Sequence, residues 1–159
     1  MSRSGRFGAL SRRYTYSAFF DPAPDPLRER YAWRVWPEPD PARLSEAARR
    51  LPGRRDFGAF GRSPVPQGNT VRSIFRAGWE GNGGGGRFEI EADAFLQHMI
   101  RRLAAAMMTI GLGRASPDSL QSSLDDPARQ WPGILAPACG LCLEGVLYPA
   151  DMPDGEIET

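Results

Sequence analysis

A chain of 159 residues, 41% of them hydrophobic and including four Trp and eight Phe, is long enough to bury one real core and too apolar to be disordered. It holds no run of about 18 apolar residues, which excludes a membrane-spanning helix, and its first residues, MSRSGRFGALSRR, lack the apolar centre of a secretory signal, so a cytoplasmic protein is expected. The formal net charge is only +1, yet all 20 basic residues are Arg; codon usage in a GC-rich genome and phosphate binding both produce such a bias.

In chain order, a basic arm from Arg6 to Arg13 leads into RYTYSAFF. There Tyr14, Tyr16, Ala18 and Phe20 line one face of a predicted strand, and Arg13, Thr15, Ser17 and Phe19 the other. The prolines between Asp21 and Pro26 require an irregular loop, and Tyr31 to Trp36 reads as a second strand. Asp40 followed by Pro41 starts a helix, because proline at the first helical position sacrifices no hydrogen bond. Leu44, Ala47, Ala48 and Leu51 continue it at helical spacing until Pro52 and Gly53 stop it. After GRRDFGAF (Gly53 to Phe60) and a Pro/Gly/Asn loop, a strand is expected from Thr70 to about Glu80. On it Val71, Phe75 and Trp79 face one way and Arg72, Ile74 and Arg76 the other. GNGGGG (Gly81 to Gly86) then returns the chain as a hairpin. A phosphate loop is not expected there, since such loops open a helix directly after a strand and end in Lys-Ser/Thr.

The next stretch, FEIEADAFLQHMIRRLAAAMMTIGLG, reads as a strand running straight into a long helix. Phe88, Ile90 and Ala92 alternate with Arg87, Glu89 and Glu91. Asp93 is the predicted N-cap, accepting from the unpaired N–H groups of the first turn. From Leu103 the helix is apolar on every side, as in a helix inside a core. The only histidine, His98, lies just before, with Arg101 and Arg102 beyond it. Arg101 shares a helical face with Ala94, Gln97, Ala104, Ala105 and Met108, so its guanidinium leaves a side of small or apolar residues and needs an acid or phosphate to meet it. Ser116 and Pro117 cap a shorter helix to about Leu124. A loop with Arg129 and Trp131 precedes a final strand in which Leu141, Leu143, Gly145 and Leu147 alternate with Cys142, Glu144, Val146 and Tyr148. The acidic end, 149–159, reads as a flexible tail. Without a βαβαβ rhythm, the class expected is α+β: an antiparallel sheet with helices packed on one face.

Several chemistries find no support. Cys139 and Cys142 form a lone CxxC, but zinc needs a second pair and a redox pair wants its first cysteine at a helix start. Two reduced, packing cysteines are expected. With one histidine and no Gly-x-Ser-x-Gly turn, a nucleophilic triad is unsupported.

The motifs together resemble a family. FEIEADAFLQHMIRRLAAAMMTIGLG resembles the signature of the tRNA pseudouridine synthases that act at positions 38 to 40 of the anticodon arm. That signature is a strand followed by Asn/Asp-Ala-Phe-Leu-x-His-Met-Val-Arg-Asn and a small-residue helix. SRRYTY resembles the family's Arg-Tyr-x-Tyr strand, RRDFGAF its Asp-Phe-x-x-Phe segment, NTVRSI its Thr-x-Arg-x-Ile strand, and APACGLCLEGVLY its last strand. These run from about Arg6 to Tyr148 in family order. The resemblance implies isomerisation of uridine to pseudouridine in tRNA without cofactor or metal, a pseudouridine-synthase-like antiparallel sheet, a basic RNA cleft and a homodimer. Carried over by position, Tyr14 matches the active-site tyrosine that contacts the target base. Arg101 matches the arginine paired with the catalytic aspartate, whose carboxylate an arginine fork keeps ionised and oriented. Arg12, Arg13, Arg72 and His98 are candidate RNA contacts.

The departures are as informative. The family's nucleophile lies in an Arg-Thr-Asp-x-Gly-Val-His-Ala segment upstream of the Arg-Tyr-x-Tyr strand, and no Arg-Thr-Asp occurs in these 159 residues. Asp56 and Asp93 belong to other motifs. Residues 1–20 are therefore expected to be the remnant of an N-terminal catalytic half, 21–148 a C-terminal α+β domain, and the chain inactive alone unless a complementing chain supplies the aspartate. The other expectation, from a different class, is a non-catalytic RNA-binding or dimerisation module.

Overall fold

In a computed structural model, which describes residues 10–81 and 83–148, one strand carries most of the pairing. β1 (Ser11–Phe19) bonds to β5 (Gly85–Ala92) along one edge, and its other edge is shared. β6 (Leu141–Leu147) covers Ser11 to Tyr16 there, and β2 (Trp33–Arg34) covers Ala18 and Phe19. β4 (Val71–Gly81) and β3 (Gly53–Asp56) complete a six-stranded sheet in the order β2-β1-β5-β4-β3, with β6 also on β1. Every pairing is antiparallel except β1 with β2. The α+β class thus holds, with a mixed sheet in place of a purely antiparallel one. The strand expected over Tyr31 to Trp36 shrinks to two residues. The chain makes a 3-10 turn at Arg28–Arg30 first and arrives parallel to β1, as a crossover connection requires.

Two of the three helices follow from their caps. α1 (Pro41–Arg49) begins where Asp40 accepts from Ala42 N, and α3 (Pro117–Asp125) where the Ser116 side chain accepts from Ser119 N. α2 (Met99–Gly111) is the core helix, buried continuously from Leu103 to Met108. It does not start at Asp93. The Asp93 carboxylate instead accepts from Ser73 N at 2.9 Å and from Ala94 N, and Asp93 N donates to Ser73 O. Asp93 is thereby tied to Ser73 of β4, and residues 93–98 lie outside the helix. Ala94 and Gln97 accordingly do not share a helical face with Arg101.

The core lies between α1, α2 and the sheet face that carries Tyr16, Ala18, Phe88, Ile90 and Ala92. The alternation expected on β4 breaks at Phe75. Ile74 pairs with Ala92 and Arg76 with Glu91, so Phe75 is an extra residue, a β-bulge. It is exposed, while Ile74 before it and Ala77 and Trp79 after it turn to the core. β4 and β5 pair up to Gly81 and Gly86 as a hairpin, with Gly83 and Gly84 at φ +74° and +80°, where glycine is favoured. The acidic tail from 149 and the arm before residue 10 lie outside the described residues.

α1 crosses α2 closely: a Cβ on Gly111 would lie 2.7 Å from Leu44 Cδ2 and from Pro39 Cβ. Leu44 is fully buried in that contact. Leu44→Ala should therefore leave a cavity and cost about 2–5 kcal/mol. It should be read as a lower urea midpoint with an unchanged slope.

Candidate active-site cleft

A cleft of about 500 Å³ opens where β1, the start of α2 and the turn before β6 meet. Arg12 and Tyr14, two apart on β1, enter it from the sheet, and His98 and Arg101 from the helix start. The ring of Phe95 meets Tyr14 edge-on, 5.3 Å between centroids at 88°, a favourable aromatic geometry that fixes the tyrosine at the mouth. Among the described residues the Tyr14 hydroxyl has no hydrogen-bond partner, so it is available to a ligand.

The helix entrance is shaped by backbone. Gln97 N donates to Arg62 O at 2.8 Å, and the two residues form an isolated antiparallel bridge. His98 then takes φ 64°, ψ 10°, the left-handed region, and α2 begins at Met99 with no side-chain cap and no acid in its first turn. The first N–H groups of a helix lack partners within it and carry partial positive charge. The cleft therefore receives a helix N-terminus together with Arg12, His98 and Arg101. Among the described residues no Asp or Glu lines it.

Arg101 is half-buried. Its Nε donates to Ala136 O at 2.7 Å, and Ala136 N donates back to Arg101 O at 3.2 Å. Among the described residues its two terminal nitrogens have no partner. A fork with both tips unpaired at the edge of a cleft is a receptor for a carboxylate or phosphate. Just behind it, burial pushes the Tyr16 hydroxyl above its ordinary pKa; the neighbouring Cys139 adds to the shift and Arg101 opposes it.

Two expected RNA contacts lie elsewhere. Arg13 is on the opposite sheet face, where Glu91 accepts from Ser11 Oγ at 2.9 Å and from Arg76 Nη2 at 2.8 Å, and Thr15 donates to Glu144 at 2.9 Å. Burial would raise the Glu91 carboxyl, but the Ser11 and Arg76 hydrogen bonds outweigh it and hold the group below its ordinary value. Arg72 lies on the β3–β4 pair and spends its Nη1 on Asn69 and on Val71 O at 2.8 Å. Asp56 accepts from Gly58 N at 2.8 Å and from the Thr70 hydroxyl, closing its own loop. Cys139 and Cys142 are free thiols, as expected, but both are exposed, so packing is not their role. Among the described residues no group of three His, Cys, Asp or Glu is placed to hold a metal ion, and no helix is long and apolar enough to cross a membrane.

A model of the tRNA pseudouridine synthase family matches residues 47–149. The chain belongs to that family. It is 34% identical over 140 residues to a tRNA pseudouridine synthase A of Pelobacter propionicus, covering 88% of this chain and 57% of the relative. It is 35% identical to one of Methylacidiphilum infernorum, over 93% and 58% of the two chains, and 31% identical to one of Bacillus subtilis, over 90% and 58%. The chain thus spans a little under three-fifths of the length of the curated relatives it matches. Family motifs distant in sequence, the Arg-Tyr-x-Tyr strand and the Phe-Leu-x-His-Met helix start, are the two walls of the cleft.

Sequence reasoning missed Phe95, although it stands within the quoted signature, because nothing local says which aromatic touches Tyr14. It also missed that His98 is left-handed. Glycine relieves such a residue and a β-branched side chain aggravates it, since the left-handed region costs L-residues about 1–2 kcal/mol. His98→Gly should accordingly leave stability within about 1 kcal/mol of the parent, whereas His98→Val should lower it by about 1–2 kcal/mol or more. Urea unfolding of the two variants checks the difference.

Proposed function

We propose that this chain contributes the tyrosine-and-arginine half of a tRNA pseudouridine synthase active site, acting on uridine in the anticodon stem-loop. The observation that carries the reading is one cleft that gathers Tyr14, Arg101 and two further basic side chains around a helix N-terminus, with no carboxylate among the described residues of its lining. In the isomerisation the N1–C1′ bond of uridine breaks and a C5–C1′ bond replaces it. N1 gains a proton and C5 loses one, so no oxidant, reductant or cofactor is consumed. Tyr14 would contact the base. The free fork of Arg101 would hold a nucleophilic aspartate ionised and aimed. That aspartate would come from another segment, supplied by a complementing chain. Arg12 and His98 would contact the RNA backbone from within the cleft. Arg13 and Arg72 would do so only from outside it.

The second reading, a non-catalytic RNA-binding or dimerisation module, is favoured by the same lack of a carboxylate. Quantifying pseudouridine in tRNA incubated with the purified chain tests both. The chain alone should form none, and turnover would refute the assignment of the nucleophile to another segment. Binding of the anticodon stem-loop should weaken steeply with salt, and Arg12→Ala should reduce the slope of log affinity against log salt by about 1. Affinity that does not change with salt would overturn the phosphate-binding reading of the cleft.

A further inference from the structure

Arg101 reaches the cleft on a support that another buried side chain holds. Its Nε is taken by Ala136 O, and the next carbonyl along, Pro137 O, accepts from the Tyr16 hydroxyl. Ala136 is fully buried and Tyr16 is 1% exposed, so water cannot replace either partner cheaply. The Tyr16 ring is itself fixed. It meets Trp33 edge-on at 6.3 Å and 88°. Gly140 lets the backbone close over it, since a Cβ there would lie 2.8 Å from Tyr16 Cζ and 2.7 Å from Ser17 O.

We propose that Tyr16 is a positioning residue for Arg101: its hydroxyl anchors the Ala136–Pro137 backbone, which occupies Nε and turns the two terminal nitrogens of the guanidinium into the cleft. An arginine side chain has many rotamers, and a fork that must meet a planar carboxylate gains from losing that freedom beforehand. Nε is the one donor that can be tied down without blunting the fork. Backbone carbonyls suit the purpose because they carry no net charge to compete with the incoming acid. Tyr16 stays protonated, and so remains a donor, because its burial disfavours the phenolate. Tyr14 and Tyr16 thus divide the work of one strand face. Tyr14 points at the cleft mouth, and Tyr16 holds the loop behind the arginine.

For its purpose this inference rests on the proposed function; its test does not. In the 15N-labelled chain, Arg101→Lys identifies the Arg101 Nε–H resonance by removing it. In the parent that proton should exchange at least about tenfold more slowly than those of exposed arginines, the protection expected of a shielded hydrogen bond to a charged group. Tyr16→Phe removes only the hydroxyl, and Gly140→Ala displaces the ring with every hydrogen-bonding group retained. Either should bring the exchange to within about twofold of the exposed arginines while the amide spectrum stays folded. Unchanged protection in either folded variant would overturn the proposal, and so would a parent Nε–H that exchanges like an exposed one. Where one variant fails to fold, the other decides, since they disturb the Tyr16 anchor in different ways. No RNA or activity enters the readout, so its failure would leave the synthase reading standing, and absence of pseudouridine would leave this inference standing.

Discussion

A guanidinium that is half out of water has to be met by acceptors, and among the described residues Arg101 finds one, the Ala136 carbonyl, for a group with five donors. Arg101 lines a cleft whose described residues offer cations and neutral groups and no acid. Much of the fold serves to keep this so. β1 brings Tyr14 to the rim, the Asp93 contacts tie the end of β5 to Ser73 of β4, Gln97 bridges to Arg62, and the left-handed His98 sets where α2 begins. Burial of α2 from Leu103 onward then fixes its first turn in space.

The net charge of +1 conceals how the charges are arranged. On the open face of the sheet Arg76 pairs with Glu91, and Arg87 with Glu80 and Glu89. Those pairs cancel one another's field and are worth little individually, since they are largely exposed. Among the described residues Arg12, His98 and the tips of Arg101 have no such partners, and all three line the cleft. Local potential follows from where the acids are missing, so a nearly neutral chain can still present an anion-attracting groove. At Arg101 the proposed role calls for a planar fork, which lysine lacks.

Much of this was legible in the sequence. The caps at Asp40 and Ser116, the hairpin glycines, and the alternation of Phe88, Ile90 and Ala92 are local signals, and local signals decide helix starts and strand faces. The errors came where a distant contact overrode a local preference. Asp93 has the chemistry of an N-cap, but its carboxylate is claimed by Ser73 on a neighbouring strand. Phe75 is on phase with Trp79 until a bulge inserts one residue. Tyr31 to Trp36 has strand composition, yet only two residues find a free edge, because β6 occupies the rest of it. At the site, the motifs named Tyr14 and Arg101 but not how they are held. Phe95, Ala136 and Tyr16 act through contacts that no spacing reveals.

The account turns on the cleft being one half of a site that an external carboxylate completes. The most direct measurement supplies that carboxylate: a separate polypeptide bearing the family's Arg-Thr-Asp-x-Gly segment, mixed with this chain and tRNA, with pseudouridine quantified in the anticodon arm. Pseudouridine should form with both components present, disappear when the added aspartate becomes asparagine, and disappear with Arg101→Ala in this chain. Product formed equally well by the Arg101→Ala chain would contradict the role assigned to the guanidinium, and with it the central claim.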